Sequence, residues 1–212
     1  MILLTASKMP EGLDKDTLAT TVSLLFPSSG NEEYIEKIRS RSNDTSATES
    51  LFALALLYDL ITELGVADTS KLRFARSEIG KPYFVDSEIK FNVSHSKGYV
   101  ACAASLGEEL GVDIEASSLS SDRIERLAKR FFSESEQKKL KNAPNLFSRR
   151  WTEKESRAKF FGQSVENILS ADKISANNQY SKEIRLHSFT IGDTPITLCT
   201  KEVFSTISFT VQ

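Results

Sequence analysis

Three groups of residues in this chain have the types and spacing to do chemistry. The first is Asp113 and Glu115, in the stretch Gly111-Val112-Asp113-Ile114-Glu115. Apolar and acidic residues alternate there, so the two carboxylates fall on one side of a strand, roughly 6–7 Å apart. Two such carboxylates repel unless a cation lies between them, and an oxygen-only pair suits Mg²⁺. The competing reading is a strand with a solvated acidic face. The second group is Ser94-His95-Ser96, at the end of the run Phe91-Asn92-Val93. Hydroxyls, an imidazole and backbone N–H groups at a strand end can hold phosphate. The third group is Trp151, Glu155 and Lys159, one stripe of a helix at i, i+4 and i+8. By spacing alone, Glu155 and Lys159 are a helix ion pair worth a few tenths of a kcal/mol.

The elements that must position these groups alternate between helix and strand. Met1 to Ser7 is a short apolar run, expected as an edge strand. Asn31 is expected to cap a short helix with Tyr34, Ile35 and Ile38 on one side. A long helix is expected from Thr45 to Leu64, stopped by Gly65. Gly80-Lys81-Pro82 is a turn. Tyr99 to Leu106 is a strand. Ser121 caps a helix carrying Ile124, Leu127, Ala128 and Phe131, and Ser133-x-x-Glu136 fits a capping box for the next. A further helix runs from about Leu146 to Phe161, closed by Gly162. From Lys173 onward several strands are expected, among them Ile196–Leu198 and Val203–Val211.

In order and spacing, five pieces resemble the 4′-phosphopantetheinyl transferases of the surfactin-synthetase-activating type. They are Gly80-Lys81-Pro82, Asn92-Val93-Ser94-His95-Ser96, Gly111 to Glu115, the Arg-Phe-Phe-Ser-Glu-Ser-Glu run at 130–136, and Trp151 to Lys159. That resemblance implies an α+β fold of two similar α/β halves related by a pseudo-twofold axis. Each half packs a small sheet with a long helix, and the active site lies between them. The halves would be residues 1–108, on the coenzyme A side, and 109–212, on the metal and catalytic side. It implies transfer of the 4′-phosphopantetheine arm of coenzyme A to a serine of an acyl- or peptidyl-carrier protein. Asp113, Glu115 and Glu155 would hold Mg²⁺, or Mn²⁺ in its place. Glu155 and Lys159 would be catalytic. Lys81, Pro82, Ser94, His95, Lys154 and Lys159 would bind coenzyme A, with Glu136 supporting the metal site from behind. Basic residues near Lys37, Arg39 and Arg41 would approach its 3′-phosphate. One position departs from the pattern: the family often has Arg where Glu49 precedes Ser50 here. A non-catalytic paralogue that binds coenzyme A or a carrier protein is the alternative that this departure raises. Another Mg²⁺-dependent phosphotransferase or a nuclease is weaker, since no P-loop is present.

Composition narrows the classes further. Lys and Arg number 27 against 29 Asp and Glu, so the basic excess expected of a nucleic-acid-binding protein is missing. Residues 1–12 lack the basic start and apolar core of a signal peptide. The most apolar stretch, Leu51 to Leu64, is too short for a bilayer and carries Asp59 and Glu63. Cys102 and Cys199 lie in strand-like apolar runs and are expected as buried, reduced thiols. Two Cys and two His do not make a convincing zinc site. His187 has no motif around it and is expected to be structural. A cytoplasmic monomer, without membrane or nucleic-acid partners, is the expectation.

Overall fold

The computed structural model describes residues 1–116, 119–168, 184–201 and 206–211. Its elements are β1 (Ile2–Lys8), α1 (Lys15–Leu25), α2 (Asn31–Arg39), α3 (Asp44–Glu63), β2 (Phe74–Arg76), β3 (Pro82–Phe84), β4 (Ile89–Ser96), β5 (Tyr99–Leu106) and β6 (Leu110–Ile114). Then follow α4 (Ser121–Phe131), α5 (Glu134–Asn142), α6 (Phe147–Phe161), β7 (Ile184–Ile191), β8 (Thr194–Lys201) and β9 (Ile207–Val211). Of the strands expected after Lys173, residues 173–183 and 202–205 lie outside the described residues.

The architecture is α+β, with a long helix on a small sheet in each half. The first sheet has the order β4-β5-β1-β9, the second β6-β8-β7, and β2 pairs with β3 as a short hairpin. Alternation within β5 sends Val100, Cys102 and Ala104 toward α1, α2 and α3, where they join Leu51, Leu54, Leu57 and Ile61 of α3. The intervening Ala101 and Ala103 face the second sheet with Ile2, Leu4 and Ala6 of β1, against Val112, Ile114, Ile196 and Leu198. The first sheet is therefore covered on both faces. This explains why Ile2 to Ser7 is buried without alternation. It also corrects the edge-strand expectation: β1 is central, antiparallel to β5 and parallel to β9.

Local signals place most helix ends. Asn43 accepts from Ser46 N to start α3, and Gly65 follows its end with φ +91°. Gly162 closes α6 in the left-handed region, with its N–H on Ala158 and Lys159 carbonyls. The Ser133–Glu136 capping box opens α5. Two expected caps move. Ser120, not Ser121, precedes α4. Gly30, not Asn31, precedes α2. Asn31 is buried instead, donating to the Phe26 and Leu72 carbonyls and accepting from Phe74 N. A buried amide is worth more spent on three backbone groups than on one exposed cap. Cys102 and Cys199 are free and buried, and burial pushes the Cys199 thiol up to about 12.

Gly111 sets the distance between β6 and α6. A Cβ there would lie 2.2 Å from the Ser156 carbonyl oxygen and 2.4 Å from Phe160 N. Both are backbone atoms in a helix interior, so neither can give way. Behind this contact, Thr152 of α6 and Thr197 of β8 share a buried hydroxyl hydrogen bond of 2.8 Å. Gly111→Ala is therefore expected to lift α6 from the sheet and to destabilise the fold by about 1–3 kcal/mol. Thermal unfolding by circular dichroism should show it, at roughly 2–4 °C of Tm per kcal/mol for a chain of this size. An unchanged Tm would mean that α6 does not sit against β6 in this way.

Candidate active site

A cavity of about 560 Å³ lies where the two halves meet. Strand β4 contributes Ser94 and His95, and α6 contributes Glu155 and Lys159. The β2–β3 turn contributes Gly80, Lys81 and Pro82, while Tyr34, Arg41, Ser50 and Arg76 line it from the first half. The turn geometry is local: Gly80 takes φ +84°, and its N–H and that of Lys81 both return to Ser77.

Asp113 stands behind this cavity, where β6 runs beside β4. The strands are stitched by Asn92, whose Oδ1 accepts from Val112 N at 2.8 Å. Asp113 is only 5% exposed, which removes the solvated-face reading for this residue. Its Oδ1 accepts from Lys159 Nζ at 2.7 Å and from Ser94 Oγ at 2.7 Å. The Lys159 ammonium also donates to Ser94 Oγ and the Val112 carbonyl. Thus Lys159 pairs with Asp113 of β6 rather than with Glu155 on its own helix, and its bond to Ser94 crosses between the halves. Burial raises the pKa of Asp113, against the pull of Lys159 and Ser94, and the charge of Glu115 adds to the rise. Glu115, just beyond β6, accepts from Ser96 Oγ at 2.9 Å.

Glu155 is half-buried at the cavity wall and accepts no hydrogen bond from the described residues. Burial raises its pKa; Lys159 opposes, while Asp113 and Glu115 reinforce the rise. The three carboxylates are therefore near enough to feel one another, although they come from a strand, its end and a distant helix. Among the described residues, no three His, Cys, Asp or Glu side chains are gathered closely enough to hold a metal ion as they stand. The donor set nevertheless fits a hard divalent cation. It is all oxygen, the charges of Asp113 and Glu115 raise the pKa of Glu155, and Asp113 Oδ2 and both oxygens of Glu155 are not engaged by described donors.

His95 is held from two sides. Its Nδ1 lies 2.8 Å from Glu49 Oε2 and its Nε2 3.0 Å from Ser50 Oγ. Arg41 Nη1 donates to the same Ser50 hydroxyl at 2.9 Å. Burial lowers the pKa of His95, and Lys159 and Arg41 add to this, while Glu49 works against it. Arg76 lies over the Tyr34 ring at 5.0 Å.

Other expected site residues are placed differently. Lys154 is 7% exposed and does not line the cavity; its Nζ pairs with Glu136 at 2.9 Å and sits over the Phe132 ring. The contact arises because Lys154 and Glu155 are neighbours on a helix and point about 100° apart. Lys81 lines the cavity, but its ammonium donates to the Lys159 and Leu110 carbonyls at 2.9 and 3.3 Å. Of the cluster Lys37, Arg39 and Arg41, only Arg41 reaches the cavity; Arg39 is bound to Glu36 and Asp16 at the surface. Trp151 packs with Phe131, Phe132 and Phe147 in a separate aromatic cluster. Arg76 and Tyr34 were not marked by any motif, and Asn92, although inside one, was given no role. Asn92 could have been suspected, being a polar residue between the apolar Phe91 and Val93.

The comparisons with known proteins agree with this geometry. The family model described as 4′-phosphopantetheinyl transferase superfamily matches residues 109–207, and that described as 4′-phosphopantetheinyl transferase, N-terminal, matches residues 18–107. The chain is 34% identical over 114 residues to 4′-phosphopantetheinyl transferase HetI of Nostoc sp., covering 50% of this chain and 47% of that one. It is 34% identical over 140 residues to 4′-phosphopantetheinyl transferase gsp of Aneurinibacillus migulanus, covering 64% and 57%. The first two relatives are thus matched over about half their length. A longer match is to 4′-phosphopantetheinyl transferase Sfp of Bacillus subtilis, 30% identical over 167 residues, covering 76% of this chain and 73% of the relative. With both family models in sequence along the chain and this cavity between them, the chain belongs to the 4′-phosphopantetheinyl transferase superfamily.

Proposed function

We propose that this chain transfers the 4′-phosphopantetheine arm of coenzyme A to a serine of an acyl- or peptidyl-carrier protein, with adenosine 3′,5′-bisphosphate leaving. The observation that carries the reading is Glu155. It is a half-buried carboxylate without a hydrogen-bond donor among the described residues, at the wall of a cavity otherwise rich in cationic and hydroxyl groups. In the reaction, the carrier serine oxygen forms a bond to the pyrophosphate phosphorus that bears the pantetheine arm. The bond from that phosphorus to the bridging oxygen breaks, and the nucleotide phosphate takes the electron pair. Glu155 receives the serine proton, which its raised pKa favours. Lys159 and His95 donate to phosphate oxygens as charge develops on them. Asp113 and Ser94 hold the Lys159 ammonium in place for this. Pro82 and the stem of Lys81 form an apolar wall for the nucleotide base.

Asp113, Glu115 and Glu155 would hold a divalent cation, Mg²⁺ or Mn²⁺. Such an ion neutralises pyrophosphate charge and aligns the group to be transferred. A catalyst of this kind would act as a monomer in the cytoplasm, with coenzyme A and an apo-carrier protein as its partners. No described helix is long and apolar enough to cross a membrane.

Incubation with coenzyme A, Mg²⁺ and a panel of apo-carrier proteins, read by intact mass, tests the reading. Attachment of a phosphopantetheine to a carrier is the expected result. Tight coenzyme A binding without transfer would leave a binding protein instead. Glu155→Gln keeps the shape but removes the charge and the basicity. It is expected to lower turnover by about 10²- to 10⁴-fold, with the far-ultraviolet circular dichroism unchanged. Near-wild-type turnover would remove Glu155 from the mechanism. Asp113→Asn takes away a carboxylate but not the base. A Mg²⁺ titration of this variant should recover part of the activity, whereas Glu155→Gln should recover little. Equal recovery in both would mean that their roles do not differ.

A further inference from the structure

Glu49 stands against His95, outside the lining of the cavity, where the mechanism so far gives it no task. It is 4% exposed, a low value for a carboxylate. Each of its oxygens meets one donor. Oε1 accepts from Gly98 N, in the turn between β4 and β5, and Oε2 lies 2.8 Å from His95 Nδ1. A carboxylate only accepts, so Nδ1 carries the hydrogen. That leaves Nε2 as the nitrogen turned to Ser50 and the cavity. Ser50 Oγ accepts from Arg41, so its own proton is free to point at Nε2. The ring is thus fixed in orientation and in tautomer, as a carboxylate fixes a histidine in many catalytic sites.

The charges around the ring explain why a carboxylate is needed there. Arg41, from the loop before α3, and Lys159, from α6, both face His95 and resist a third positive charge. Glu49, from α3, is the anion that faces it among the described residues. An entering phosphate adds negative charge on the Nε2 side. We infer that Glu49 is a positioning residue that aims His95 Nε2 into the cavity and enables it to gain a proton when a phosphate-bearing ligand binds. The proton comes from solvent and settles on Nε2, while Nδ1–H continues to donate to Glu49. Burial depresses the pKa of His95 in the free chain, and a bound phosphate raises it. Affinity then increases as pH falls through the raised value of the complex, and levels off below the lowered value of the free chain.

This inference takes coenzyme A as the ligand and so rests on the proposed function. Calorimetry of coenzyme A binding to the full chain, in two buffers of different ionisation heat, counts the protons taken up. Uptake approaching about one proton is expected near pH 7, given an ordinary histidine value of about 6.5. His95 and His187 are the only histidines, so ¹⁵N-imidazole spectra follow both. His187 contacts Thr200 of β8 and serves as the internal reference. In Glu49→Gln the amide must set one N–H against either Gly98 N–H or Nδ1–H. That variant should lose the uptake and bind coenzyme A about tenfold more weakly, the scale of one charge-assisted hydrogen bond. His95→Gln should abolish the uptake as well. If Glu49 only fastens α3 to the Gly98 turn, Glu49→Gln will lower Tm but keep the uptake, and the inference falls. Should that variant not fold, binding by the wild-type chain without uptake, or a wild-type His95 spectrum lacking Nδ1–H, would overturn it. Transfer to a carrier with no proton uptake would defeat this inference alone. Failure of coenzyme A to bind would defeat both it and the proposed function.

Discussion

The site depends on how closely α6 approaches β6. At Gly111 the strand and the helix touch backbone to backbone, with no side chain between them. Only at that distance does Lys159 reach across to Asp113 and Ser94. The other end of the approach is held by Lys81, which comes from the first half and donates to the carbonyls of Lys159 and Leu110. A lysine on a turn therefore fastens the helix and the strand whose side chains face the cavity. Its burial lowers its pKa, which is the penalty for placing an ammonium there.

Charge in the cavity is arranged by ownership as much as by proximity. Asp113 belongs to Lys159, Glu49 to His95, and Glu136 to Lys154. Each pairing fixes where its groups point: Asp113 holds Lys159 beside Ser94, Glu49 holds the His95 ring, and Glu136 draws Lys154 away from the cavity. Glu155, Arg41 and Arg76 have no such ion-pair partner among the described residues, and all three line the cavity. The contrast separates groups whose charge is already matched within the protein from groups whose charge is left for a ligand to match. Spacing along the helix cannot make this distinction, because Lys154 and Glu155 are adjacent in sequence and opposite in role.

Much of the fold was legible in the chain, and for identifiable reasons. The long helices announced themselves by apolar periodicity and by stops at Gly65 and Gly162. β1 was misplaced at an edge because a short apolar run does not say how many neighbours it has. Its partners are more than ninety residues away in β5 and farther still in β9. Among site residues, Asp113, Glu155, Lys159 and His95 stood in motifs with recognisable spacing. Arg76 and Tyr34 did not, since their cation–π contact joins two elements far apart in sequence. Glu49 was visible as a departure, but its meaning required His95 Nδ1 and Gly98 N to be seen together.

The pairing of β1 with β9 has a consequence for how the chain is made. Thr5 and Thr210 are joined by a hydrogen bond that spans 205 positions. Synthesis runs from the amino end, so β1 and β5 can pair long before residues 207–211 exist. Until then one side of β1 presents unpaired N–H and C=O groups along an apolar strand, an invitation to edge-to-edge aggregation. Closing so long a loop is also slow compared with forming the helices. A nascent chain of this kind stays vulnerable for most of its time on the ribosome.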